Sequence, residues 1–452
     1  MTNTIISRRG LVAGMGALGG LSLLPAFAQS DDDYKALVCV IFHGGLDSFE
    51  CIIPTDEQGY RAWERHRKLI VDQYRSKETV SRERDSLLPF TDGPNGAFGF
   101  AAELAPLAAL YKSGQLAVVP NAGPLEEPTT RSLMSAGKVR LPRRLASHND
   151  QRSIWMSMMP EGAATGWGGR LLDAIAEDSP FSSISFNGTE VFAAGERTLP
   201  VTLRGSRGRA AFGVDSDKVF GSESLPDILT DHYLGQDVKH GSVLRRDVAA
   251  AQARGVSAIL RLTQAQRGSD ISDQVRVPNN KLSDQLGAVA DVIASRDALG
   301  AKRQVFVVGM GGFDTHRRQA YTLPALQSQV ALALARFQTA MNGLGIAESV
   351  TAFTVSDFGR TLSANSSGTD HGWGGHHYVM GGAVKGGRVT QDIPPLSLDH
   401  DQALWQRGAL VPEVSIEQYG AALGSWFGVA ESDLRSIFPH LGRFDRDAVQ
   451  LF

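Results

Sequence analysis

The 452-residue chain reads as an α/β protein built on a mainly parallel sheet. Three observations predict this. Ala36–Phe42, Gln304–Gly309 and Ser349–Val355 are continuous apolar runs rich in β-branched residues, as in strands buried on both faces of a parallel sheet. Between the last two, Leu326, Val330, Leu334, Phe337 and Met341 share one helical face, and Pro324 suits the helix's first turn. Strand, helix and strand at this spacing make a βαβ unit. An acid follows each run, joined by a histidine after the first two, at the strand ends where open parallel sheets bind ligands.

The elements follow in chain order. Ser7-Arg8-Arg9 is a twin-arginine signature, Leu11–Leu24 is mildly apolar, and Ala26-Phe27-Ala28 is a small-x-small cleavage site. Residues 1–28 are thus expected to be a signal peptide, with the mature chain beginning near Gln29. The apolar run is short and broken by glycine, which argues against a stable membrane anchor. The export machinery is the implied partner, and a periplasmic or secreted location the implied destination. Leu116–Val119 and Ser183–Phe186 are shorter strand candidates. The region from about 215 to 296 reads as a helical insert, with Val248–Ala251 and Leu286–Ile293 its clearest pieces. Gln73–Asp92 is polar and rich in breakers, the mark of a surface excursion.

Composition narrows the function. A formal net charge of -3 and 42% hydrophobic residues give no electrostatic case for nucleic acid. Cys39 reads as a core thiol, with a Cys39–Cys51 disulfide the alternative in an oxidising compartment. Neither a cysteine cluster nor a dinucleotide fingerprint is present, which disfavours a redox role.

The polar strand ends carry the candidate chemistry. The first strand runs into His43-Gly44-Gly45-Leu46-Asp47, the second into Asp314 and His316, and the third into Asp357 and Arg360. Further on lies Gly368-Thr369-Asp370-His371-Gly372-Trp373-Gly374-Gly375-His376-His377. Carboxylates with imidazoles suit a divalent transition metal, and the glycines admit close approach. Asp47, Asp314, His316, Asp357 and His371 are therefore the candidate ligands. Plainer roles stand beside these: a turn for Asp47, a hydrogen bond from His316 to Asp314, and an ion pair of Asp357 with Arg360. Asp370 competes with His371, while His376 or His377 would contact substrate or orient a ligand. Ser147 and Asp150 resemble a helix-capping box. The same position aims a hydroxyl at a helix N-terminus, where anions are stabilised, so Ser147 is the candidate nucleophile and His148 its neighbour. Arg144, Arg360 and Lys385 are candidate clamps for an oxyanion.

Together the twin-arginine signal, Gly44–Asp47, Ser147–Gln151, Gly312–His316, Ser356–Thr361 and Gly368–Gly374 resemble an exported bacterial family of unknown function. That family is grouped with the alkaline phosphatase and sulfatase superfamily. The resemblance implies one domain over 29–452, a three-layer α/β/α sandwich with a metal site at one edge of its sheet. It implies two zinc- or manganese-type ions, one held by Asp47, Ser147 and Asp357, the other by Asp314, His316 and His371. The implied activity is hydrolysis of a phosphate or sulfate ester on a small molecule or glycan. Phe358 stands where superfamily phosphatases carry a histidine, and the Asp314–His316 spacing is shorter than theirs. Both departures point to a one-metal site or to a member without turnover, with a binding or assembly role in the envelope. Neither cysteine sits where a sulfatase formylglycine would arise.

Overall fold

The computed structural model describes residues 34–76, 80–93, 96–177, 179–203, 214, 216–235, 242–404 and 407–452. The expected signal peptide lies outside them. The strands are β1 (Lys35–Phe42), β2 (Ile52–Pro54), β3 (Leu88–Gly93), β4 (Gly96–Phe100), β5 (Leu116–Gly123), β6 (Ser183–Ser185), β7 (Val201–Thr202), β8 (Arg303–Met310), β9 (Val350–Ser356), β10 (Gly375–Gly381), β11 (Arg388–Val389) and β12 (Val414–Ser415). The helices are α1 (Glu57–Arg75), α2 (Ala105–Lys112), α3 (Arg131–Ser135), α4 (His148–Ser157), α5 (Trp167–Ala174), α6 (Leu225–Tyr233), α7 (Val243–Ala265), α8 (Ile271–Val275), α9 (Lys281–Ala294), α10 (Arg296–Leu299), α11 (Gln319–Gly343), α12 (Ile416–Phe427) and α13 (Glu431–Ile437).

The main sheet runs β11-β5-β10-β9-β1-β8-β6-β7, with β12 also on β5. Its pairings are parallel except the two made by β10. Side chains alternate across a strand, so a strand covered on both faces must be apolar at every position. Ala36, Val38, Val40 and Phe42 share one core with Leu286 and Val289 of α9 and Leu334 and Phe337 of α11. Leu37, Cys39 and Ile41 share the other with Trp155 of α4, Trp167 of α5, and Tyr419 and Phe427 of α12. Helices thus cover both faces, giving the expected three-layer α/β/α sandwich.

The helical region contains α6 to α10, and α9 packs against β8 and α11, within the layer that covers the sheet. The excursion expected at Gln73–Asp92 is more than a surface loop. Part of it, β3, pairs with β4 in a second sheet ordered β2-β4-β3. Phe90 stacks on Phe100 at 4.2 Å, an apolar anchor that the polar composition concealed. Cys39 and Cys51 are both free and buried, not disulfide-bonded.

Candidate metal centre

β8, β1 and β9 are neighbours, so their carboxyl ends deliver the loops after Phe42, Met310 and Ser356 to one place. Gly44 and Gly45 let these loops close, at φ +113° and +89°. A Cβ on Gly44 would stand 2.4 Å from the Asp314 amide nitrogen, and one on Gly45 2.6 Å from the Phe358 ring. An isolated antiparallel bridge between Arg360 and His371 draws in the loop before β10. α4 begins at His148, so its first residue faces the same place.

Four side chains converge there. His148, Asp314 and His371 each offer a ligand atom, all within 4.8 Å of one another. His316 Nε2 lies 3.1 Å from Asp314 Oδ1 and 2.8 Å from His371 Nε2. His371 Nε2 is 3.3 Å from Asp314 Oδ1, and His148 Nε2 is 3.7 Å from Asp314 Oδ2.

The far nitrogens of His148 and His371 are held, and that of His316 faces a carboxylate. His148 Nδ1 is 2.8 Å from Asp357 Oδ2, His371 Nδ1 is 2.9 Å from the Ala146 carbonyl, and His316 Nδ1 is 3.6 Å from Asp370 Oδ1. Oxygen acceptors at hydrogen-bond distance from His148 and His371 favour the proton on Nδ1 of those two rings and leave their Nε2 lone pairs aimed inward. An acceptor behind an inward-facing imidazole nitrogen is the outer arrangement of a metal-bound histidine. Burial, joined by the positive charge of Arg360, pushes the His371 pKa below its usual value, although the Ala146 carbonyl opposes this. Burial raises the Asp314 carboxyl, but the Arg360 hydrogen bond and charge, with His316 and His148, more than offset it and hold the pKa low. Neutral imidazole and ionised carboxylate are the forms that ligate metals.

Several expected roles are filled differently. Asp47 is fully buried, and Arg67 takes both of its oxygens, with Nη2 2.8 Å from Oδ1. Gln319 donates to Asp47 Oδ2 at 2.7 Å, so no lone pair faces the histidines. Ser147 caps α4, accepting from the Asp150 amide and donating to Asp150 Oδ2 at 2.9 Å. Arg360, expected as a catalytic clamp, is buried. It donates to the carbonyls of Gly44, Gly45, Phe313 and Thr369 and to Asp314 Oδ1 at 2.6 Å. It ties four loop segments together and leaves no face for substrate. Asp357 Oδ2 accepts from Gly44 N at 2.9 Å as well as facing His148, so Asp357 backs a histidine from outside the cluster. Its Oδ1 is buried without a hydrogen-bond partner. Phe358 packs on the His371 ring at 4.2 Å and the His148 ring at 4.7 Å, walling the cluster. His376 and His377 are core residues: His376 Nδ1 accepts from Asn121 N at 3.0 Å, and His377 packs on Trp155.

A second polar group lies beside the first. Asn187 Nδ2 is 2.8 Å from His43 Nε2 and 2.9 Å from Glu190 Oε1, and Arg152 Nη1 is 3.3 Å from His43 Nδ1. Burial lowers the His43 pKa and raises that of Glu190. The sequence reading missed Arg152, Asn187 and Glu190. Signals pointed to two of them: Asn187 follows the strand Ser183–Phe186, and Arg152 is one helical turn from His148, on the same face.

Residues 34–407 match the model of a family described as "Protein of unknown function (DUF1501)". No curated protein matches the sequence. Similar solved structures include Ps i-CgsB in complex with k-i-k-neocarrahexaose, at 8% identity over 92% of this chain and 77% of that one, TM-score 0.36. The soluble domain of lipooligosaccharide phosphoethanolamine transferase A from Neisseria meningitidis is similar at 8% identity, covering 90% and 92%, TM-score 0.34. The C-terminal periplasmic domain of EcEptC from Escherichia coli gives 8% over 92% and 89%, TM-score 0.33. Among the described residues no helix is long and apolar enough to cross a membrane.

Proposed function

The chain belongs to this family of unknown function (DUF1501), and from the geometry above we propose that it is an exported, metal-dependent hydrolase of a phosphate or sulfate ester. The observation that carries this reading is the pair of Nε2 atoms of His316 and His371, 2.8 Å apart, with an oxygen acceptor behind each ring. A cation lying against both nitrogens would replace the N–H···N hydrogen bond that otherwise joins two imidazoles at this distance. Three imidazoles and one carboxylate are the donor set of a zinc- or manganese-type ion. Asp314, His316, His371 and His148 would hold it, and Asp357, Asp370 and Ala146 would orient the rings.

A divalent ion bound there would supply Lewis-acid polarisation of the ester and offset the charge of the transition state. Arg152 would bind the anionic oxygens of the ester. Because Asp150 engages the Ser147 hydroxyl, we assign the attack on phosphorus or sulfur to water and give Ser147 the cap. The expected setting is periplasmic or secreted, reached by the twin-arginine route, with a small-molecule or glycan ester as substrate and no nucleic acid.

The test is elemental analysis of protein purified without chelator, paired with aryl phosphate and aryl sulfate assays. The expected result is bound metal, and turnover that His371→Ala abolishes. A stable, metal-free and inactive protein refutes the reading. The Asp47–Arg67 pair and the Phe358 wall favour a second reading, a catalytically degenerate metal-binding envelope protein with a binding or assembly role. Bound metal with no turnover on either ester class selects it.

A further inference from the structure

His371 belongs to two environments. Its Nε2 faces Asp314, while the residue also lines a cavity of about 430 Å³ walled by Met134, Leu141, Leu145, Trp373 and Leu404. This volume is within the range of small-molecule sites, and such sites are mostly apolar with a few fixed polar groups. Arg131 also lines the cavity. Its positive charge suits an anion with an apolar body. Loop strain sets the wall close to the histidine: Arg144 (φ 55°) and Ala146 (φ 65°) are left-handed, and the Ala146 carbonyl holds His371 Nδ1.

We infer that this cavity binds the apolar aryl or alkyl group of the ester while its charged head lies at the histidines. The inference rests on the reading of the histidine cluster given above. It specifies the substrate class, an anionic ester of a hydrophobic alcohol or phenol, and the residues that select it. Each buried methylene adds about 0.8 kcal/mol, or roughly fourfold in affinity, so a chain of several carbons gives at least a ~tenfold preference.

Calorimetric titration of the metal-loaded protein with methylphosphonate and octylphosphonate tests this without requiring turnover. Octylphosphonate is expected to bind at least ~tenfold more tightly. Met134→Trp, which fills the cavity, is expected to erase that preference and leave methylphosphonate unchanged. Leu141→Asp, at a position already partly exposed, is expected to do the same should Met134→Trp fail to fold. Equal binding of both phosphonates by wild type overturns the cavity assignment and leaves the metal-site reading standing, as does a preference that survives in the folded variants. Failure of both phosphonates to bind removes the ester-hydrolase reading and this inference with it.

Discussion

Arg67 grips Asp47 through two guanidinium nitrogens, and neither side chain has any exposure to solvent. The pair belongs to a larger buried set. Glu50 contacts both Arg67 and Arg82, and Arg82 reaches Glu103 and Gln327. Breaking a buried pair strands the remaining charge, at a cost of about 3–5 kcal/mol, while apolar replacement of both partners is far milder. Asp47→Ala is therefore expected to lower stability to chemical denaturation by that amount. The double variant Asp47→Leu/Arg67→Met should recover much of the loss. Metal content per folded molecule should not change in either. Loss of metal from the folded double variant would return Asp47 to the ligand set.

Asp357 makes the opposite prediction. Its Oδ2 fixes His148 through Nδ1 and also accepts from the Gly44 amide. Removal of such an outer carboxylate costs about 10–100-fold in metal affinity. Asp357→Asn preserves shape but removes the charge behind the ring. It should weaken zinc or manganese binding within that range, as measured by competition with a chromophoric chelator. Unchanged affinity would mean that His148 is not a ligand.

Ser147 separates a structural hydroxyl from a chemical one. The N-cap bond to the Asp150 amide and the hydroxyl's bond to Asp150 Oδ2 account for its side chain. Loss of a serine cap costs about 1 kcal/mol. Ser147→Ala should show that loss on thermal unfolding, with metal content and ester turnover retained. Abolished turnover with intact metal binding would restore Ser147 as the nucleophile.

The parallel sheet was legible because burial on both faces forces runs such as Ala36–Phe42 to be apolar at every position. The gathering of Asp314, His316 and His371 in one place was legible because they lie in glycine-rich loops at neighbouring strand ends. Asp47 looked equivalent in local sequence. Its partner Arg67 lies twenty residues on in α1, where it reads as one more charge on a polar helix. Arg360 misled for the same reason: five interactions with loop oxygens cannot be inferred from one arginine after a strand. Long-range polar pairing leaves no periodicity, whereas burial does.

The paired histidines after Gly375 yield a pH prediction that is independent of the metal centre. Burial, with the charge of His376, brings the His377 pKa down to about 3, and the Thr354 contact opposes this only weakly. Burial brings His376 to about 4 against the opposing charge of Asp47. In the unfolded chain both return to 6.5. Above that pH both states are neutral and the folded state keeps its full advantage. As pH falls from 6.5 towards 4 and then 3, the unfolded chain takes up protons that the fold refuses, so stability drops. Burial raises the carboxyls of Glu50 and Glu417, which act in the opposite direction. A single-site comparison cancels that background. His377→Phe removes a titrating ring whose Nδ1 has no hydrogen-bond partner, in a pocket already lined by Trp155 and Tyr419. Its melting temperature should therefore fall less steeply than that of wild type below about pH 6. Parallel acid limbs for the two proteins would show that His377 is not held neutral by its burial.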